Sequence, residues 1–280
     1  MTVFARMLGK PAFVIGAGFT LLVVGLSLVS IVWTPHDIAR FDIAARFAPI
    51  GGTYLLGTDQ FGRDTLSMLM VGGRTSIAIA FVAVVAGAAI GIPLGLLASG
   101  RGGWADELVM RMNDLVFAFP ALLSALMLTA VFGAGAVNAV VAIAIFNVPV
   151  FARVTRGAAL PVWRMEYVAA ARVASRSAAR IAIDHVLPNI AALLIIQTTI
   201  QFSVGILQEA GLSYVGLGAR APSTSWGQML AQAQTMTALA PRLALLPGLA
   251  IVLFVIALNL IGNALRETLD PRIGRTMEAR

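Results

Sequence analysis

The sequence predicts an all-α integral membrane protein with six transmembrane helices, and three observations predict it. Hydrophobic residues fill 59% of the 280 positions and charged residues only 12%, with a mean hydropathy of +0.90. That is more apolar surface than a water-soluble fold can hide. The apolar residues fall into runs of roughly twenty, long enough at ~1.5 Å per residue to cross a hydrocarbon core of ~30 Å. The net charge of +7 comes mostly from basic residues flanking these runs, which points to orientation in a membrane and not to nucleic acid. Cysteine is absent, so disulfides, thiolate metal sites and cysteine nucleophiles are excluded.

Taken in order, residues 1–10 form a short cytoplasmic segment with Arg6 and Lys10, and residues 11–33 form the first span. The run exceeds the ~7–15 apolar residues of a signal peptide, and a cleaved signal fits it less well than an anchor does, so it is expected to remain. Residues 34–73 are polar and read as an extracytoplasmic loop. Within it Gly57, Asp59, Gly62, Arg63 and Asp64 form either a hydrogen-bonded knot that sets up the next helix or a binding site. The local capping habit of Asp and Thr favours the knot.

Residues 74–264 make the transmembrane body, with spans 2 to 6. In the second span, Thr75 to Ala98, Ala83, Gly87, Gly91 and Gly95 recur every four residues, so one face is small enough for close helix packing, and Pro93 is expected to bend it. A solvated turn with Arg101, Asp106, Glu107 and Arg111 leads to a third span, Leu115 to Phe132, interrupted by Pro120. Gly133 to Gly135 turn the chain into a fourth span ending near Phe151, where Asn138 and Asn147 read as interhelical hydrogen-bonding groups.

A loop over residues 155–189 separates spans 4 and 5, and its stretch from Pro161 to Asn189 has helical composition. Pro161 is suited to open a helix and Pro188 to end one. Ala169, Ala170, Ala171 and Ala174 leave room for another surface, and Arg172, Arg176 and Arg180 repeat along one face, where like charges repel unless an acidic group neutralises them. A docking partner is implied. The fifth span, Ile190 to Leu207, is followed by an outer segment, 208–242, and a sixth span, Leu243 to Ile261. Gln197, Gln201 and Gln208 lie within about 40° of one another around the fifth helix. That stripe either lines a hydrated path or bonds neighbouring helices.

The tail, 265–280, is basic. Of the Lys and Arg residues, fourteen lie in segments assigned to one side, with both termini and the 155–189 loop, and six lie in the outer loops. That excess places the former side in the cytoplasm. No ionisable residue stands inside the spans as bounded here, which disfavours the alternative of an ion-coupled secondary transporter. His36 and His185 are assigned to opposite sides, and no nucleophile, base or metal cluster is assembled, so no catalytic, metal or cofactor residue is assigned. With no Gly-x-x-x-x-Gly-Lys-Ser/Thr sequence, ATP is expected to bind elsewhere.

Glu166-Tyr-Val-Ala-Ala-Ala-Arg172 and His185-Val-Leu-Pro188 resemble the cytoplasmic EAA loop of bacterial ABC importer permeases. Leu56 to Asp64, Leu212-Ser-Tyr-Val-Gly-Leu-Gly218 with Pro222 and Ser225-Trp-Gly227, and Asn259 to Arg272 are similar to segments of the dipeptide, oligopeptide and nickel branch, in the same order. The resemblance implies a permease subunit of the bacterial plasma membrane that carries peptides or related solutes such as nickel complexes. It implies a second homologous permease, two cytoplasmic ATPase subunits or domains holding ATP and Mg, and an extracytoplasmic substrate-binding protein. ATPase coupling would fall to Glu166, Ala169, Ala170, Ala171, Arg172, Ser175, Arg176, His185 and Pro188. The chain departs from the family in having Ser175 where the loop has glycine, in lacking the loop's own glutamate one turn after Glu166, and in having Asn263 where aspartate is common.

Overall fold

In a computed structural model, residues 3–119, 121–220 and 223–269 are described. Among them the chain is helical, with isolated β-bridges and no named strand. Five helices are long and apolar enough to cross a membrane, or six if one sharply bent pair is taken as one span.

The short helix α1 (Val3–Leu8) precedes α2 (Pro11–Val29), with Pro11 in its first turn where no intrahelical N–H is needed. The expected span to Trp33 is shorter as a helix: beyond Val29 the backbone closes in turns. Lys10 at the start of α2 meets Glu267 near the other end of the chain at 2.9 Å.

The next helix, α3 (Thr65–Arg101), starts ten residues ahead of the expected Thr75. Asp64 caps it, accepting the Ser67 N–H at 2.9 Å and the Ser67 hydroxyl at 2.6 Å. Gly72 and Gly73 thus lie within the helix, where they admit the Trp226 ring and Ser27. At 37 residues the helix is about 55 Å long, so it reaches beyond a bilayer core.

The reversal expected at 100–114 is instead a helix, α4 (Gly103–Ala118), entered through Gly102 at φ +62°. It is tied to the C-terminal half of α6 (Ala136–Val162) by Asp106 with Arg156, at 2.6 Å, and by Asp114 with Arg153. The third span is therefore not one straight helix from Leu115. The helix α5 (Ala121–Phe132) follows α4 through an 85° bend, and Pro120, expected as its cause, lies outside the described residues. Asn138 does not bridge distant helices but donates to the Phe132 carbonyl at 3.2 Å and to that of Gly133, closing the α5–α6 turn.

The fourth helix continues past Phe151 to Val162, through Pro149 and Pro161. Its backbone lies against α3. A Cβ on Gly87 would stand 2.3 Å from the Asn147 Cβ, one on Gly91 2.4 Å from the Val148 oxygen, and one on Gly95 2.5 Å from the Ala152 oxygen. After two short helices, α7 (Glu166–Val173) and α8 (Ala178–Ile181), comes α9 (Leu187–Tyr214), which begins three residues before the expected fifth span and ends seven beyond it.

The outer segment turns inward as α10 (Trp226–Ala233), and α11 (Arg242–Leu269) closes the bundle, running past Ile261. Trp226 and Met229 of α10 are buried with Met68, Ile206, Ile251 and Phe254. Pro222 and the tail from Asp270 on lie outside the described residues.

Overpacking typically costs about 1–3 kcal/mol, so Gly91→Ala is expected to lower the thermal unfolding midpoint of the detergent-purified protein. Gly18→Ala, with nothing within 4 Å of its new Cβ, is expected to leave the midpoint unchanged or slightly raised.

Candidate functional site

The segment between α6 and α9 is a bent arm with its own core. Pro161 does not open a docking helix: it sits in the last turn of α6, and α7 begins at Glu166 after the extended Met165. Nor is the segment one helix, because Ser175 at φ +58° ends the first piece. There the Arg176 N–H reaches back to the Ala171 oxygen at 3.2 Å, the closure that terminates a helix through a left-handed residue. Serine here occupies the geometry that glycine enters more readily.

The break overturns the arginine stripe. Arg172 stays on α7, its guanidinium 5.4 Å from the Trp163 ring centre, whereas Arg176 lies in the break and pairs with Asp184 at 2.8 Å. Arg180 projects from α8 and is exposed. The acidic group that neutralises Arg176 is supplied by this chain itself.

The alanines also divide. Ala169 and Ala170 are exposed, while Ala171 is half-buried and packs towards Val168, Ile181 and Val186. Those side chains rest on Trp163, whose indole N–H donates to the Ser99 hydroxyl of α3 at 3.1 Å. Glu166 is exposed in the first turn of α7, favourable against the helix dipole. His185 is half-buried with its ring edge-on to Tyr167 at 6.1 Å, and its carbonyl accepts from Asn189 at 2.6 Å.

Pro188 does not end a helix either. It stands in the first turn of α9, preceded by a π-turn over Ala182–Val186 that joins α8 and α9 into one rod from Ala178 to Tyr214. Proline lacks an N–H and crowds the carbonyl four residues back. The widened turn around Asp184 takes up that misfit.

Within the bundle the glutamine stripe splits. Gln201 donates to the Asn147 oxygen at 2.8 Å, and Asn147, only 1% exposed, donates in turn to the Ile143 oxygen. This pair bonds α9 to α6. Gln208 instead lines a cavity of about 290 Å³ with Ala125, Ile143, Phe146, Val204 and Leu207, and its Oε1 has no hydrogen-bond partner. Gln197 is half-buried.

The absence of ionisable groups from the spans does not hold at their ends. Because α9 continues to Tyr214, Glu209 belongs to that helix and is 0% exposed, its Oε1 accepting the Ser213 hydroxyl at 2.6 Å. The sequence alone puts Glu209 in the outer segment, 208–242. The serine four residues on was the available sign that a helix continued.

In the loop between α2 and α3, Gly57, Asp59, Gly62, Arg63 and Asp64 form a knot. The Asp59 carboxylate accepts the Phe61 and Arg63 N–H groups at 2.8 and 2.9 Å and the Arg63 Nε at 2.7 Å. Gly62, at φ +76°, abuts the Asp42 carbonyl so closely that a Cβ would lie 1.8 Å from its oxygen. Arg63 also donates to Gln232 of α10 at 2.9 Å, and Arg242 donates to the Phe47 and Ala48 carbonyls. The two outer segments are thereby joined.

Residues 91–275 match the family described as binding-protein-dependent transport system inner membrane component. The chain is 37% identical over 269 residues to the glutathione transport system permease protein GsiD of Pectobacterium atrosepticum, covering 96% of this chain and 89% of that one. It is 44% identical over 220 residues to the di/tripeptide transport system permease protein DppC of Pseudomonas aeruginosa, covering 79% and 73% respectively. Among solved structures, it resembles a chain of the MetNI methionine ABC transporter in an inward-facing conformation, with a TM-score of 0.61 and 20% identity, covering 72% of this chain and 97% of that one.

Replacing Gln201 by leucine strands the buried Asn147 oxygen, a loss of about 1–3 kcal/mol. Gln201→Leu is expected to lower the thermal unfolding midpoint, and Asn147→Leu combined with it to lower it by less than the sum of the single changes.

Proposed function

Because the chain belongs to the family of binding-protein-dependent transport inner-membrane components, we propose that it is the permease subunit of an ATP-driven importer whose power stroke enters through α7 and α8. The observation that carries this is the arm itself. Its exposed edge, with Glu166, Ala169 and Ala170, is backed by a core that includes Trp163, Val168 and Val186, so a push on the edge meets α6 and α9 instead of a yielding loop.

The partners follow from the family and from what the chain lacks. ATP and Mg belong to two cytoplasmic ATPase subunits or domains, since no phosphate-cradling loop exists here. A second, homologous permease completes the path, and an extracytoplasmic binding protein delivers the cargo. Peptides are the proposed cargo class: relatives named for glutathione and for di/tripeptides support it, with nickel complexes the next class. The ion-coupled carrier considered from composition is set aside by family membership.

The proposed setting is the bacterial plasma membrane, with six spans when the bent α4–α5 pair counts as one, and with both termini and α7–α8 in the cytoplasm. The excess of Lys and Arg on that side supports the orientation. A single cysteine at Ser177 is expected to resist an impermeant thiol reagent in intact cells and one at Ser223 to react. The reverse pattern overturns the orientation.

Coupling is tested on the exposed alanine. In the assembled importer Ala170→Trp is expected to leave the permease folded and inserted but to reduce transport per ATP hydrolysed by about tenfold, the scale of a fitted contact overpacked by ~1–3 kcal/mol. Parental transport and ATPase association in that variant would show that this edge is solvated and that the stroke enters elsewhere.

A further inference from the structure

Glu209 is the fully buried acidic side chain of the described residues, at 0% exposure, and nothing in the coupling arm or the outer knot uses it. It lies where three elements meet. Besides the Ser213 bond on α9, Ser76 of α3 and Ser225 at the N-cap of α10 turn their hydroxyls towards the same carboxyl. Its Oε2 is buried without a hydrogen-bond partner. No ion pair to Glu209 occurs among the described residues.

The direction of the bonds matters. Ser76 Oγ accepts the Trp226 N–H at 3.2 Å, and Ser225 Oγ accepts the Gln228 N–H at 3.2 Å. Both amides belong to the first turn of α10, which has no intrahelical acceptors for them. A hydroxyl that accepts still carries one proton of its own to donate, and the Glu209 carboxyl is close to both. The first turn of α10 is thus capped by two serines that lie beside one carboxyl held by α9.

Close packing reinforces this attachment. A Cβ on Gly227 would lie 2.3 Å from the Ala210 oxygen, so α10 lies directly on α9 beside Glu209, and the Trp226 indole donates to the Leu69 oxygen of α3 at 3.0 Å. The far end of α10 carries Gln232, which Arg63 joins to the outer knot. Bonds and close contacts therefore lead from the outer knot, through α10, to the place between α3 and α9 where Glu209 is buried.

We propose that Glu209 is a positioning residue for transport: it locks the outer helix α10 to α3 and α9, so that engagement of the outer face moves these two helices together. The inference rests on the permease reading above and adds to it the residue through which the outer face acts. Without the carboxyl, α10 keeps its apolar contacts but loses the acceptor that fixes its first turn.

The test uses the importer complex in lipid nanodiscs with its ATPase subunits and binding protein, measuring assembly, basal ATPase activity and the stimulation produced by liganded binding protein. Glu209→Ala is expected to reduce the stimulation by about tenfold, within the usual range of coupling between sites, with assembly and basal hydrolysis at the parental level. Glu209→Gln, which keeps a carbonyl acceptor, is expected to restore most of it. Parental stimulation in Glu209→Ala overturns the inference, as does an equal fall in basal and stimulated activity, which would reflect a general structural need. If Glu209→Ala does not assemble, Ser225→Ala decides, because it removes the N-cap hydroxyl and leaves the carboxyl in place: loss of stimulation supports the lock and parental stimulation overturns it. A parental complex that the binding protein does not stimulate overturns the permease reading and this inference with it.

Discussion

Gly87, Gly91 and Gly95 bring the backbone of α3 onto that of α6 closely enough to leave no room for a methyl group, and the rest of the bundle is laid against this pair. Lipid tails are as apolar as leucine, so burial of apolar surface does not by itself drive helices together within a bilayer. Close van der Waals contact between backbones does, and small residues allow it. Because Asn147 sits opposite Gly87, the same contact places a polar side chain where Gln201 of α9 can bond it. One packing seam thus sets the position of a third helix.

At the end nearer the arm the seam stops where Trp163 closes over Ser99 and Gly100. The indole is the floor on which the arm rests: Val168, Ile181 and Val186 cover it on one side and Arg172 lies near its ring. The arm is short, and neither α7 nor α8 is long enough to be stable alone. Their order comes from this shared core and from the left-handed turn at Ser175, which lets two short helices fold back on the same tryptophan. The π-turn before Pro188 then passes the chain into α9 without a break, so displacement of the arm acts along a continuous helical rod.

The outer face is built by different forces. There the chain lies in loops whose backbone groups need partners; Asp59 and Arg242 supply them from side chains, and Arg63 holds Asp59 in place. Trp226 supplies the apolar counterpart, reaching the Phe254 ring at 5.8 Å in an edge-on contact. The combination makes α10 part of the bundle core while its ends remain bonded to the outer loops. The chain therefore has a stiff connection on each side of the membrane, with α3 and α9 common to both.

Composition and spacing by themselves determined that this is a helical membrane protein, which helix carries the small-residue face, and which segment between spans forms the arm. These features are local: a run of apolar residues or a four-residue repeat has the same meaning whatever lies beside it. Helix limits were less legible, because polar residues that mark a loop in water are retained in a helix when a partner receives them, as with Arg74 on the Ser30 carbonyl, Arg156 on Asp106 and Glu209 on Ser213. The arginine repeat in the arm was legible as a pattern, but its meaning depended on one φ angle at Ser175, which no spacing reveals. The split of the glutamines was likewise decided in three dimensions. Gln201 and Gln208 share one face of α9, yet Asn147 stands before the first and a cavity before the second. Only the packing of α5 and α6 against α9 makes that difference, since a polar side chain in a membrane takes its role from the group it meets.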